Sequence, residues 1–160
     1  MLVWFVGASV VVVWQVFRSP ALDYRTVVLG AVLPLLDGLA GGPRILHSLL
    51  GAVVALAATM VLTRRRRLAR RRWLGVPIGM FLHLVLDGVW TNGRVLWWPL
   101  LGWSFGASGL PELQRGALGL VLEALGAAAL WWCWTTFGLR DPRRRRDLVR
   151  TGRLREVEPS

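Results

Sequence analysis

The chain has 160 residues, 54% of them hydrophobic, and a formal net charge of +11 carried by 20 basic residues, all of them arginine. That length suffices for one domain, and a mean hydropathy of +0.49 gathered into long apolar runs excludes an ordinary soluble enzyme in favour of a polytopic membrane protein. A single cysteine, Cys133, excludes an internal disulfide and a cysteine-rich zinc site, while ten tryptophans against one tyrosine suggest anchoring at membrane interfaces.

Residues 1–17 are apolar except for glycine, serine and Gln15, close to the lower limit of about 17 residues for a spanning helix. A secretory signal would open with a basic stretch. Here the first positive charge, Arg18, follows the apolar run, which favours an uncleaved helix. Ser19 and Pro20 break it. Residues 22–36 form a weaker run that begins Asp23-Tyr24-Arg25 and is interrupted by Pro34, so it reads as a tilted span or a half-helix. A glycine-rich turn follows over residues 37–43.

Residues 45–63 predict a clean spanning helix with His47 in its first turn and a stripe of small residues, Gly51, Ala55 and Thr59. The arginines at 64–67 and 70–72 mark the next loop as cytoplasmic. Residues 73–90 cross back, carrying His83 and Asp87. A loop over 91–111 bears Trp97, Trp98, Pro99 and Trp103 at the opposite interface, and residues 112–139 make the last span, with Trp131, Trp132 and Trp134 at its far end. Residues 1–139 thus read as an all-α transmembrane bundle of about five spans, N-terminus out and C-terminus in. Residues 140–160 read as a basic, partly disordered cytoplasmic tail.

His47 and His83 are the only histidines, and both lie in apolar segments. His83 and Asp87 are one helical turn apart, which puts them on one face, and ionisable groups inside a membrane-length run are costly to keep. The topology brings Asp37, His47 and Asp87 to similar depth toward the outer leaflet, with His83 about 6 Å deeper at the helical rise. Two imidazoles and two carboxylates suit one borderline divalent ion such as Zn(II), Mn(II) or Fe(II). A structural polar cluster and a proton or substrate relay fit the same residues.

Glu123, inside the last span between Gly119 and Gly126, is a candidate general base, a partner for His83, or an inter-helix hydrogen-bonding residue. Arg94 and Arg115, near the outer mouth, can pair with a phosphate-bearing substrate or snorkel to headgroups. Ser48 can cap the helix or contact a ligand. The arginine clusters set topology and offer a surface to anionic lipid headgroups. The chain has no nucleic-acid readout motif, Walker loop, dinucleotide fingerprint or Ser-His-Asp set.

Three segments carry a family resemblance: Pro34-Leu35-Leu36-Asp37, Arg44-Ile45-Leu46-His47-Ser48, and Gly79-x-x-x-His83-x-x-x-Asp87 with Trp98-Pro99 downstream. In this order they resemble the P-D-x-D, H-R-x-x-T-H-S and G-x-x-x-H-x-x-x-D blocks of the membrane-bound metal-dependent hydrolases, also called LexA-binding, inner-membrane-associated hydrolases. The resemblance covers roughly residues 30–105. It implies a multi-pass inner-membrane protein with metal-dependent hydrolase activity and Asp37, His47, His83 and Asp87 as ligands. Leu35 stands where the family has its first aspartate, and no histidine precedes Arg44, so the resemblance implies one metal rather than two.

Overall fold

The computed structural model describes residues 1–19, 22–40, 45–103 and 116–155, and these are helical with no strand. The apolar helices are α1 (Leu2–Phe17), α2 (Tyr24–Val32), α3 (Leu49–Leu62), α5 (Gly75–Leu86) and α7 (Gly116–Thr136). Two short helices, α4 (Arg67–Trp73) and α6 (Gly93–Leu96), lie in the connections, and α8 (Pro142–Thr151) follows α7.

Three local features depart from the expected spans. The run over 22–36 stays α-helical only to Val32 and then tightens into a 3₁₀ helix, Leu33–Ala40. Pro34 lacks the N–H that an α-helix requires there. The third apolar segment does not hold His47 in its first turn. Ser48 is the N-cap, its Oγ accepting the Gly51 N–H at 3.1 Å, so His47 belongs to a preceding 3₁₀ turn, Ile45–His47. Finally, α4 makes much of the arginine loop helical.

Glycine decides how the helices pair. On α5 the residues Gly75, Gly79, His83 and Asp87 recur every four positions and share one face. A methyl group on Gly79 would collide with the Val27 carbonyl, and one on Gly30 of α2 would collide with the Val76 carbonyl. The α2 and α5 backbones therefore touch. A second seam joins α1 to α7, where Gly7 and Gly126 meet in the same way. Consecutive apolar helices run in alternating directions. One end of the bundle holds Phe5 stacked on His83, and the other joins Trp14 to Tyr24 and Phe137.

The apolar helices expose apolar faces. On α3, Val53, Val54, Leu56, Met60, Val61 and Leu62 are exposed, an arrangement suited to lipid rather than water. By length and apolarity α7, with 21 residues, is the one helix among the described residues able to cross a membrane; α1 and α3 are apolar but shorter, at 16 and 14 residues.

Arginines gather at the end opposite His83, around buried Asp23. This carboxylate N-caps α2, accepts from the Arg25 guanidinium at 2.9 and 2.7 Å, and lies 3.2 Å from Arg72 Nε. The described part of the segment expected as a tail, 140–155, docks here. The Gly152 carbonyl accepts the Tyr24 N–H at 2.8 Å, the Val149 carbonyl accepts from Arg25, and Leu154 is buried beside Trp14, Tyr24 and Phe137. Burial alone would raise the pKa of Asp23, but the hydrogen bonds and charge of Arg25, with Arg72 behind, hold it below the ordinary carboxylate range. A lowered folded-state pKa stabilises fully above the ordinary value of 3.8, and the stabilisation is lost as pH falls through the lower folded value. Asp23→Asn should therefore lower stability at neutral pH by about 2 kcal/mol, a modest figure because much of the Arg72 side chain is solvent-exposed. Thermal unfolding in detergent across pH should show the gap to wild type closing below pH 3.8.

Candidate metal centre

The α2–α5 seam delivers His83. With the backbones in contact at Gly79, the imidazole one turn further along reaches α2, and its Nδ1 lies 2.7 Å from the Ala31 carbonyl oxygen. Under the 3₁₀ geometry that begins at Leu33, this carbonyl would bond the N–H of residue 34, which is proline. The histidine takes the place of that donor. A carbonyl only accepts, so Nδ1 is the donor, and in the neutral ring Nε2 holds the lone pair.

His47 is oriented in the same sense by a different group. Its Nδ1 lies 3.0 Å from Asp37 Oδ2, and the same oxygen accepts the His47 backbone N–H at 3.2 Å. The carboxylate thus fixes the ring, and in the neutral form with Nδ1 protonated it is again Nε2 that carries the lone pair. The two rings meet edge-on, with centroids 5.2 Å apart at 84°. Asp87 ends α5, its backbone N–H bonding the His83 carbonyl at 2.8 Å. Phe5 of α1 covers the site, its ring stacked on His83 at 4.0 Å.

His47, His83 and Asp87 are all buried, and one donor atom from each lies within 4.8 Å of the other two. Tetrahedral ligands at about 2.1 Å from an ion stand about 3.4 Å apart, so closure onto an ion requires shifts of about an ångström or less. Charge also fits. With both imidazoles neutral, Asp37 and Asp87 bring two buried negative charges, which one divalent cation balances. Two imidazole nitrogens and a carboxylate oxygen form a donor set suited to borderline divalent metals.

Of the residues singled out in the sequence, the structure brings together His47, His83 and Asp87 and sets Asp37 one layer back, as the carboxylate that aims His47. Asp37→Asn should accordingly weaken metal affinity about 10- to 100-fold rather than abolish it, as measured by competition with a chromogenic chelator. Glu123 is engaged elsewhere. Its carboxylate accepts the Trp4 N–H at 3.2 Å and lies 2.9 Å from the Met1 amine, tying α7 to the start of α1. Ser48 acts as a helix cap, its Oγ also donating to the Ile45 carbonyl at 2.6 Å. Arg94 is exposed on α6, and Arg115 lies outside the described residues. Sequence reasoning missed two contributors, the Ala31 carbonyl and Phe5. The carbonyl had one legible signal, Pro34 three residues on; Phe5 had none beyond being aromatic in an apolar helix.

A family model described as YdjM inner membrane protein matches residues 4–141. The chain belongs to the YdjM inner membrane protein family. The matched region contains every donor of the candidate centre together with Asp37, Phe5 and Glu123, so the cluster lies within the part of the chain shared with the YdjM family. Membership also accounts for the exposed apolar faces of α3 and α7, since the surrounding medium is an inner membrane. No curated protein and no solved structure matches the chain.

Proposed function

We propose that this YdjM-family chain is a multi-pass inner-membrane hydrolase in which His47, His83 and Asp87 hold one divalent metal, Zn(II), Mn(II) or Fe(II), against an ester or phosphoester. The observation that carries this reading is the convergence of three buried donor groups, with the Nδ1 of each imidazole held by an oxygen. The motif resemblance to metal-dependent hydrolases supports it. A metal held there supplies Lewis acidity and acidifies a bound water. Around it, Asp37 and the Ala31 carbonyl fix the two imidazoles, and Phe5 keeps bulk water from His83. In the hydrolysis, water adds across the ester bond, which breaks to give an acid and an alcohol. Arg94 is the candidate for holding a substrate phosphate near the mouth.

The accompanying topology has five crossings by α1, α2 with its 3₁₀ extension, α3, α5 and α7, N-terminus out and C-terminus in. It is supported by the alternating helix directions and by arginines gathered at one end. The short helices α1 and α3 then span with help from their flanking turns and from local thinning of the bilayer.

Elemental analysis of the purified protein should find about one divalent ion per chain, and Asp87→Asn should reduce it. A chromogenic phosphoester should be hydrolysed by wild type, with loss on chelation and recovery on re-addition of metal. A metal-free wild-type protein would overturn the reading. The hydrogen bonds His47–Asp37 and His83–Ala31 favour a second reading, a non-enzymatic protein whose cluster locks α2, α3 and α5 together. On that reading chelation lowers the melting temperature while no ester is turned over.

A further inference from the structure

At the arginine-bearing end, a cavity of about 740 Å³ opens between the end of α7 and α8. Arg144, Arg153 and Arg155 line it, with Asp147 as its one acidic side chain among the described residues, and Phe137 and Leu154 contribute an apolar floor. Among the described residues no carboxylate forms an ion pair with any of the three arginines; Arg144 donates only to the backbone carbonyls of Phe137 and Arg155, at 3.5 and 3.3 Å. Among the described residues, three arginines against one aspartate thus leave the wall with an excess of positive charge. It is also held in place, because α8 is bonded to α2 through Tyr24 and Arg25, and Leu154 is buried in the core.

Depth narrows the ligand. Trp131, Trp132 and Trp134 sit at the end of α7, the helix long enough to cross a membrane, and tryptophan prefers the interface. Phe137 follows within a turn, its ring in edge contact with Trp132 at 6.0 Å. The cavity therefore begins at the level where lipid phosphates lie. We propose that it binds the headgroup phosphate of an anionic membrane phospholipid, the guanidinium groups taking the phosphate and the apolar floor taking the adjoining glycerol and first acyl methylenes. Neither the metal centre nor the hydrolase reading is needed for this.

The test uses the full-length protein in neutral detergent, with quenching of tryptophan fluorescence by brominated phosphatidylglycerol or brominated phosphatidylcholine. Phosphatidylglycerol should bind at least about tenfold more tightly than phosphatidylcholine. At about fivefold for each guanidinium that meets the headgroup phosphate, the Arg153→Gln/Arg155→Gln pair should lose about twenty-five-fold. That pair is exposed and leaves the Arg144 bonds in place. Arg64→Gln/Arg65→Gln, with the same change of charge in the loop, should retain the preference. Equal losses in the two pairs would overturn the proposal by reducing it to general surface charge. So would inorganic phosphate that competes as well as the lipid, because the ligand would then be a soluble phosphate.

Discussion

Gly79→Leu should pry α2 from α5 and take the candidate metal centre with it. The side chain would enter a space where the Ala31 amide nitrogen and the Gly30 carbonyl carbon already lie 2.7 and 3.0 Å from the position of its first carbon. These are backbone atoms and have no rotamer through which to yield. Overpacking costs typically about 1–3 kcal/mol, and a collision with backbone belongs at the upper end. For a chain of this size that corresponds to a fall of about 6–12 °C in melting temperature. Because His83 is one turn beyond Gly79 and meets α2 through Ala31, bound metal should fall in parallel with stability. Gly93→Ala is the control. An added carbon there meets nothing closer than 3.8 Å, and its effect should stay within about 0.5 kcal/mol. Differential scanning of the detergent-solubilised variants, paired with metal analysis, separates the two outcomes. An unchanged melting temperature for Gly79→Leu would contradict the α2–α5 backbone contact.

His83→Ala should lower metal affinity more than any change behind the donors, by well over about 100-fold. The substitution removes one of three converging donors, the bond to Ala31 and the stack with Phe5 together. It also leaves a cavity in a fully buried position, so a stability loss of about 2–4 kcal/mol accompanies it. Phe5→Leu distinguishes the two effects, since it removes the stacked ring while leaving every donor. Its melting temperature should fall, yet its metal content should match wild type. Equal metal content in His83→Ala and wild type, measured after dialysis against a weak chelator, would remove His83 from the donor set.

The sequence showed which side chains gather more clearly than how they are layered. Gly75, Gly79, His83 and Asp87 recur at intervals of four, so their common face was legible from helical geometry alone. That the glycines on this face serve to bring a histidine against a backbone carbonyl was not legible, because a carbonyl has no residue type to mark it. Asp37 shows a second limit. A carboxylate that grips a metal and one that aims a histidine look the same in a sequence, and the 3₁₀ path from Leu33 to Ala40 separates them. His47 moved out of its expected helix for a local reason, since the Ser48 hydroxyl is a better cap than an imidazole. The docking of α8 was hidden by distance along the chain. Asp23 and Gly152 come together from opposite ends, and a run of arginines with few apolar residues gives no hint of which surface it will meet.

The stacking of Phe5 on His83 has a consequence for how such a protein can change. The candidate donors come from α5 and the turns beside it and before α3, whereas the ring over His83 belongs to α1, which is seamed to α7. Roof and foundation thus come from different helices. A substitution in that roof can therefore reshape the cover over His83 without removing a candidate donor.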